Sequence, residues 1–128
     1  MSGCQKPMKR PTVTFDAFDV VVVPFPFTDR TTTKRRPALV LSDAGNFNKQ
    51  VGQSVLAMIT SAVNSNWPLD VDITDLDSAG LPSASVVRMK LFTLDDQLVI
   101  RKAGALSDDD QQRVTNALKQ LLNLHAKR

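Results

Sequence analysis

The chain has 128 residues, 42% of them hydrophobic and 23% charged, which suits one globular domain with a modest core and leaves no room for two. Its net charge of +3 makes a polyanion a more natural partner than a polycation. All 13 acidic residues are Asp, the single His is His125 and the single cysteine is Cys4, so a Ser-His-Asp triad, a histidine or thiolate metal site and a disulfide framework have almost nothing to be built from.

Residues 1–17 read as a loose basic arm, and 18–125 as the one domain. The stretch Met1–Pro11 lacks the apolar segment of a secretory leader, and no apolar run reaches the length of a membrane span, so a cytoplasmic protein is expected. Asp19–Pro24 (DVVVVP) is a β-branched run, short enough for a buried strand. Phe25–Arg36 (FPFTDRTTTKRR) follows as a basic, Thr-rich loop. Pro37–Leu41 (PALVL) is a second strand, with Pro at its start because Pro donates no ladder hydrogen bond. Ser42–Gln50 is turn-like with room for one helical turn, and Ser54–Thr60 (SVLAMIT) is a third strand.

After a turn at Asn64–Trp67, Leu69–Ile73 alternates apolar and acidic residues as a half-buried or edge strand does. Gly80-Leu81-Pro82 breaks the chain. Ser85–Met89, Leu91–Leu94 and Gln97–Lys102 read as three more short strands. The tail is an amphipathic helix. Ser107 and Asp110 have capping-box spacing, Asp108 and Asp109 suit a helix N-terminus, and Val114, Ala117, Leu118, Leu121 and Leu122 share one face. Many short strands and one terminal helix predict a mainly β fold, a small antiparallel barrel closed by that helix.

Three blocks in order narrow this further: DVVVVPFPFTD with KRRPALVLS (residues 19–29 and 34–42), DAGNFN (43–48) and MITS (58–61). Together they resemble the MazF/PemK family of toxins, and weaker similarity runs through GLPSASVVRMKLFTLD (80–95) into the helix. The resemblance implies an SH3-like antiparallel barrel (MazF/PemK/CcdB-like) and a homodimer. It also implies a metal-independent, cofactor-free endoribonuclease acting on single-stranded RNA, and a cognate antitoxin that blocks the groove. By position, Arg36 matches the family's catalytic arginine and Thr60 its catalytic threonine.

Two departures stand out. One branch of the family carries a His in the first loop and Arg-x-Asp on a later strand. Here residues 25–35 hold no His, Arg88 is kept, and Lys90 stands at the Asp position.

RNA cleavage by 2′-hydroxyl attack needs oriented attack, stabilised phosphoryl charge and a protonated leaving oxygen. A guanidinium fork serves the second need, so Arg36 and Arg88 are candidates for charge stabilisation, with Thr60 as a further donor. Arg30, Lys34, Arg35, Ser61 and Lys90 complete the candidate RNA-contacting set. Loop 27–36 is read as a mobile gate that an acidic antitoxin segment would also hold.

Blander readings stand beside these. Arg36 is one of three adjacent bases, Thr60 suits any strand, Arg88 fits the solvated side of an alternating strand, and Trp67 beside Pro68 reads as packing. The rival functional readings are a non-catalytic RNA- or protein-binding module on the same barrel and, more remotely, a gyrase poison of the CcdB type. The latter needs a Trp near its C-terminus, which LHAKR lacks.

Overall fold

The β-branched run of the sequence forms β1 (Asp19–Phe25), and the basic segment after it leads into β2 (Lys34–Val40). The structure, a computed structural model, describes residues 13–25, 34–64 and 66–124. β1 and β2 pair antiparallel from Val20–Leu39 to Phe25–Lys34, so Lys34, Arg35 and Arg36 belong to a strand and not to the preceding loop. Pro37 is tolerated inside β2 because the pairing with β3 (Gln53–Ser61) ends at Ala38, so no ladder hydrogen bond is asked of its nitrogen.

Between β2 and β3 the chain turns through Ala44–Asn48 into the single helical turn α1 (Lys49–Val51). Asp43 caps the turn Ala44–Asn48, its carboxylate accepting from Asn46 N at 2.8 Å. Asn48 is fully buried and donates to Phe15 O at 2.7 Å and Ser42 O at 3.0 Å, which stitches the turn to the segment before β1. That segment is held by the fold as early as Phe15, which is buried in the core, and Asp16, which accepts from Ala44 N at 2.9 Å.

Beyond β3 come β4 (Val71–Asp72), a helical turn α2 (Leu76–Ala79) and β5 (Ser85–Asp95). β6 (Arg101–Ala105) and the helix α3 (Asp108–Leu122) complete the chain. The expected strand over residues 69–73 thus shrinks to two paired residues, because Asp70 N donates to Trp67 O on one side and Thr74 N to the Asp110 carboxylate on the other.

The expected strands 85–89 and 91–94 are one strand, with a break in register where Ala57 pairs Leu91 but Met58 pairs Arg88. Met89 and Lys90 are the residues left over there, and such a bulge bends and twists the strand. The expected strand over 97–102 begins only at Arg101, since Asp95 accepts from Gln97 N at 2.8 Å and caps a helical turn over Asp96–Leu98.

The six strands form one antiparallel sheet in the order β4-β5-β3-β2-β1-β6, curled into a half-barrel. Alternation sends Val20, Leu39, Ala57, Ile59 and Val87 to one face, where Val114 and Ala117 of α3 cover them. Truncating Leu39 or Ile59 there costs about 2–5 kcal/mol. The other face carries Val21, Val23, Ala38, Val40, Leu56 and Leu94, capped by Phe15. This second cluster covers only part of its face.

α3 begins as expected at Ser107, whose hydroxyl accepts from Asp110 N at 3.3 Å. The Asp110 side chain does not reach back as a capping box requires. It is fully buried, accepting from Thr74 N, Thr74 Oγ1 (2.8 Å), Asp75 N (3.1 Å) and the Arg113 guanidinium. Asp110 therefore ties α3 to the strand-to-helix corner at Thr74.

Candidate functional site

On the partly covered face the apolar cluster gives way to polar residues. The β2–β3 register pairs Ala38 with Met58 and Val40 with Leu56. Continued by two residues, it sets Arg36 across from Thr60. β5 extends the row, with Thr60 opposite Val86 and Met58 opposite Arg88. By strand alternation Lys34, Arg36, Thr60 and Arg88 all share this face. The structure thus brings together the three candidate catalytic residues.

Arg36 is half-buried, and its guanidinium lies 5.9 Å from the Phe25 ring centroid. Its Nε is buried and has no hydrogen-bond partner among the described residues. An unmet buried N–H is uncommon and marks a place where an acceptor belongs. Thr60 is half-buried at the end of β3.

Arg88 is not the solvated cation of an alternating strand. Its side chain is 16% exposed and grips Asp70 with two parallel contacts, Nε to Oδ1 at 3.3 Å and Nη2 to Oδ2 at 3.0 Å. Asp70 was not singled out from the sequence. It lies 18 positions from Arg88, in a segment whose pattern pointed only to an edge strand. The position where one branch of the family has its Asp is Lys90, yet Arg88 still has a carboxylate, supplied from another part of the chain.

Trp67 also departs from expectation. It is 41% exposed and lies outside both core clusters. The Arg88 guanidinium sits 5.3 Å and the Lys90 ammonium 5.6 Å from its ring centroid.

The remaining candidates are spread more widely. Lys34 is exposed on the same face as Arg36, while Arg35 points to the opposite one. There Arg35 borders a cleft of about 240 Å³ with Val22, Pro37, Leu81, Pro82 and Arg101. Ser61 is turned away from Thr60 by strand alternation, and its hydroxyl accepts from Val63 N at 3.4 Å. Arg30, with residues 26–33 of the supposed gate, lies outside the described residues. Among the described residues, no three His, Cys, Asp or Glu side chains gather into a group that could hold a metal ion.

A larger cleft of about 500 Å³ lies elsewhere, lined by Phe15, Val99, Ile100, Lys102 and Asp96. Asp96 is buried. It accepts from Ser54 Oγ at 2.7 Å, while its Oδ2 has no partner. Burial first, and the neighbouring Asp95 in addition, push its carboxyl above the ordinary range against the lowering effect of Ser54.

A curled antiparallel sheet, one face ending in arginines beside a threonine, defines a small β protein equipped to meet an anion. Residues 16–122 match the family described as PemK-like, MazF-like toxins of type II toxin-antitoxin systems, and the chain belongs to that family. Among solved structures it is similar to MazF in the MazE–MazF complex of Deinococcus radiodurans, with 26% identity, 87% of this chain and 98% of that chain covered, and a TM-score of 0.70. MazF from the same organism matches at 25% identity and a TM-score of 0.68, with 87% and 98% covered. An endoribonuclease in complex with its cognate antitoxin from a mycobacterial species shares the fold, at 16% identity, 89% and 98% coverage and a TM-score of 0.68. No curated protein matches the chain.

Proposed function

We propose that this protein is a toxin endoribonuclease that cuts single-stranded RNA without a metal and is silenced by an antitoxin carrying an acidic segment. The carrying observation is Arg36, whose half-buried guanidinium keeps a donor unfilled on the sheet face that also presents Thr60. A phosphate oxygen is a fitting acceptor for it, and the planar fork meets phosphate better than an ammonium does. The solved complexes of MazF with MazE, and of an endoribonuclease with its cognate antitoxin, support an antitoxin partner for this chain as well. The half-barrel is read as the SH3-like kind closed by α3, working as a cytoplasmic homodimer.

In the proposed reaction the 2′-oxygen forms a bond to phosphorus while the bond from phosphorus to the 5′-oxygen breaks. The products are a 2′,3′-cyclic phosphate and a 5′-hydroxyl. Water takes the 2′-hydroxyl proton, and the leaving oxygen gains a proton from water or a positioned donor. Arg36 stabilises the charge on the non-bridging oxygens, with Thr60 donating a further hydrogen bond. Arg88 is spent partly on Asp70, so its contribution is field and position more than a free fork. Lys34, Arg35, Arg30 and Lys90 supply backbone attraction, and Ser61 closes the strand end nearby.

The test is cleavage of a long single-stranded RNA in chelator, with the fragment ends characterised. Arg36→Ala, confirmed folded, should lower the rate by roughly 100- to 1,000-fold, the usual cost of one oxyanion donor. Arg36→Lys should recover little. Full activity in folded Arg36→Ala removes the assignment, and strict dependence on magnesium removes the metal-free mechanism. Absence of cleavage alongside intact RNA binding selects the binding-module reading, which the engaged state of Arg88 favours.

A further inference from the structure

The turn that carries Trp67 is built at a cost. Asp70 N donates to Trp67 O at 3.2 Å, closing a four-residue turn with Pro68 and Leu69 at its centre. Leu69 has φ 68°, in the left-handed region where glycine or asparagine normally sits. With Pro at the first central position this is a type II turn carrying a bulky residue at its unfavourable place. Leu69 packs against the core cluster, which holds the strained backbone in position.

The result is that the residues at both ends of the turn reach Arg88. Asp70 grips its fork and Trp67 lies against its guanidinium. Lys90 brings a second cation to the same ring. Trp67 is 41% exposed, so this arrangement holds the residue without burying it. Arg88 is the diagonal cross-strand neighbour of Thr60, about 7–8 Å away at the backbone, so the side chain that holds the platform springs from beside the candidate reaction centre.

We propose that Trp67, held by Arg88 and Asp70, is a stacking platform for one nucleobase of single-stranded RNA next to the scissile step, with Lys90 reaching the adjoining phosphate. This deepens the endoribonuclease reading and rests on it. An aromatic ring held open beside cations is what sequence-tolerant single-strand binders use, because every base has a π-face. The Arg88 charge is already balanced by Asp70, so a carboxylate-rich peptide gains little from it. A neutral base loses nothing by that balance.

Trp67 is the single tryptophan of the chain, so its emission reports on this ring alone. The probe is a pool of short, end-labelled 2′-O-methyl oligoribonucleotides, which lack the attacking hydroxyl and cannot be cut by the proposed route. Binding is followed by label anisotropy and by Trp67 emission on the full chain. Quenching should saturate at the midpoint that anisotropy gives.

Trp67→Ala, confirmed folded by its thermal transition, should weaken binding by roughly 5- to 100-fold, the span that one base–aromatic stack supplies. Trp67→Phe should keep most of the affinity. An abasic backbone of equal length should bind wild type and Trp67→Ala alike. Binding with unchanged emission and unchanged Trp67→Ala affinity overturns the platform while the ribonuclease reading stands. Quenching by an acidic peptide but not by RNA overturns it in favour of a protein partner. No RNA binding at all overturns both the platform and the reading beneath it.

Discussion

Two buried aspartates show how differently the same side chain behaves in this fold. Burial pushes the Asp110 carboxyl upward, but donors from Asp75, Thr74 and Arg113 outweigh that and hold it below the ordinary carboxylate range. A lowered folded value means that its stabilisation is fully present above the unfolded pKa of about 3.9 and lost as pH falls through the folded value. Asp110→Ala should therefore cost about 2–4 kcal/mol at neutral pH, because it strands two backbone donors. In urea titrations the gap to wild type should narrow as pH falls below the unfolded value and through the lowered folded one. Asp96 has the opposite sign. Its raised value means that the protonated form suits the fold, so its contribution is best below the unfolded pKa and declines as pH rises through the folded one. Asp96→Asn should match or exceed wild-type stability at pH 7, with the difference vanishing in acid. A clear loss at pH 7 would mean that the unpartnered Oδ2 has an acceptor role.

Where α2 meets β6, two glycines set the spacing of the elements. A Cβ on Gly80 would lie 2.1 Å from Ala103 O, and one on Gly104 would lie 2.3 Å from Ser78 O. Gly80 also has φ 73°, so Gly80→Ala meets both a backbone clash and a left-handed penalty of about 1–2 kcal/mol. Gly104→Ala has no such penalty but must part α2 from β6, which should cost about 1–3 kcal/mol in denaturant midpoint experiments. Nothing in the residues around Gly104 announces this, because the constraint comes from Ser78, far away in the chain. The same reason separates what was readable from what was not. β1, β3 and α3 declare themselves through local pattern: a β-branched run, an apolar run and a helical apolar face. The β5 bulge, the shortness of β4 and the existence of α2 depend on partners brought in by folding. At the candidate site, sequence context singles out Arg36 and Thr60, and the strand register puts them on one face. Asp70 and the exposed Trp67 are not singled out in this way, since their meaning lies in a contact with Arg88 across the sheet.

At the scale of the molecule, one sheet face is covered by α3 and the other is shared between an apolar cluster and a row of cations. Binding of single-stranded RNA to such a row should weaken steeply with salt, by a slope of about 0.7 per phosphate contacted. Replacing Lys34, the exposed cation of that row, by Ala should flatten that slope without unfolding the chain. An unchanged slope would place the RNA elsewhere. The proposed homodimer would let two such faces serve one substrate, and light scattering at micromolar concentration should give twice the chain mass. A monomer there would confine any substrate groove to one sheet.

The unfilled Nε of Arg36 also bears on how long the protein survives. A buried donor left without an acceptor costs about 1–3 kcal/mol. Any occupant that offers an oxygen there relieves it, so the free form is the most fragile one and the occupied form the most durable. Arg36→Met should consequently melt roughly a few degrees higher than wild type while losing the proposed cleavage. Under the proposed function, selection on such a site works against thermal endurance, because the donor kept open for substrate is the one that lowers stability.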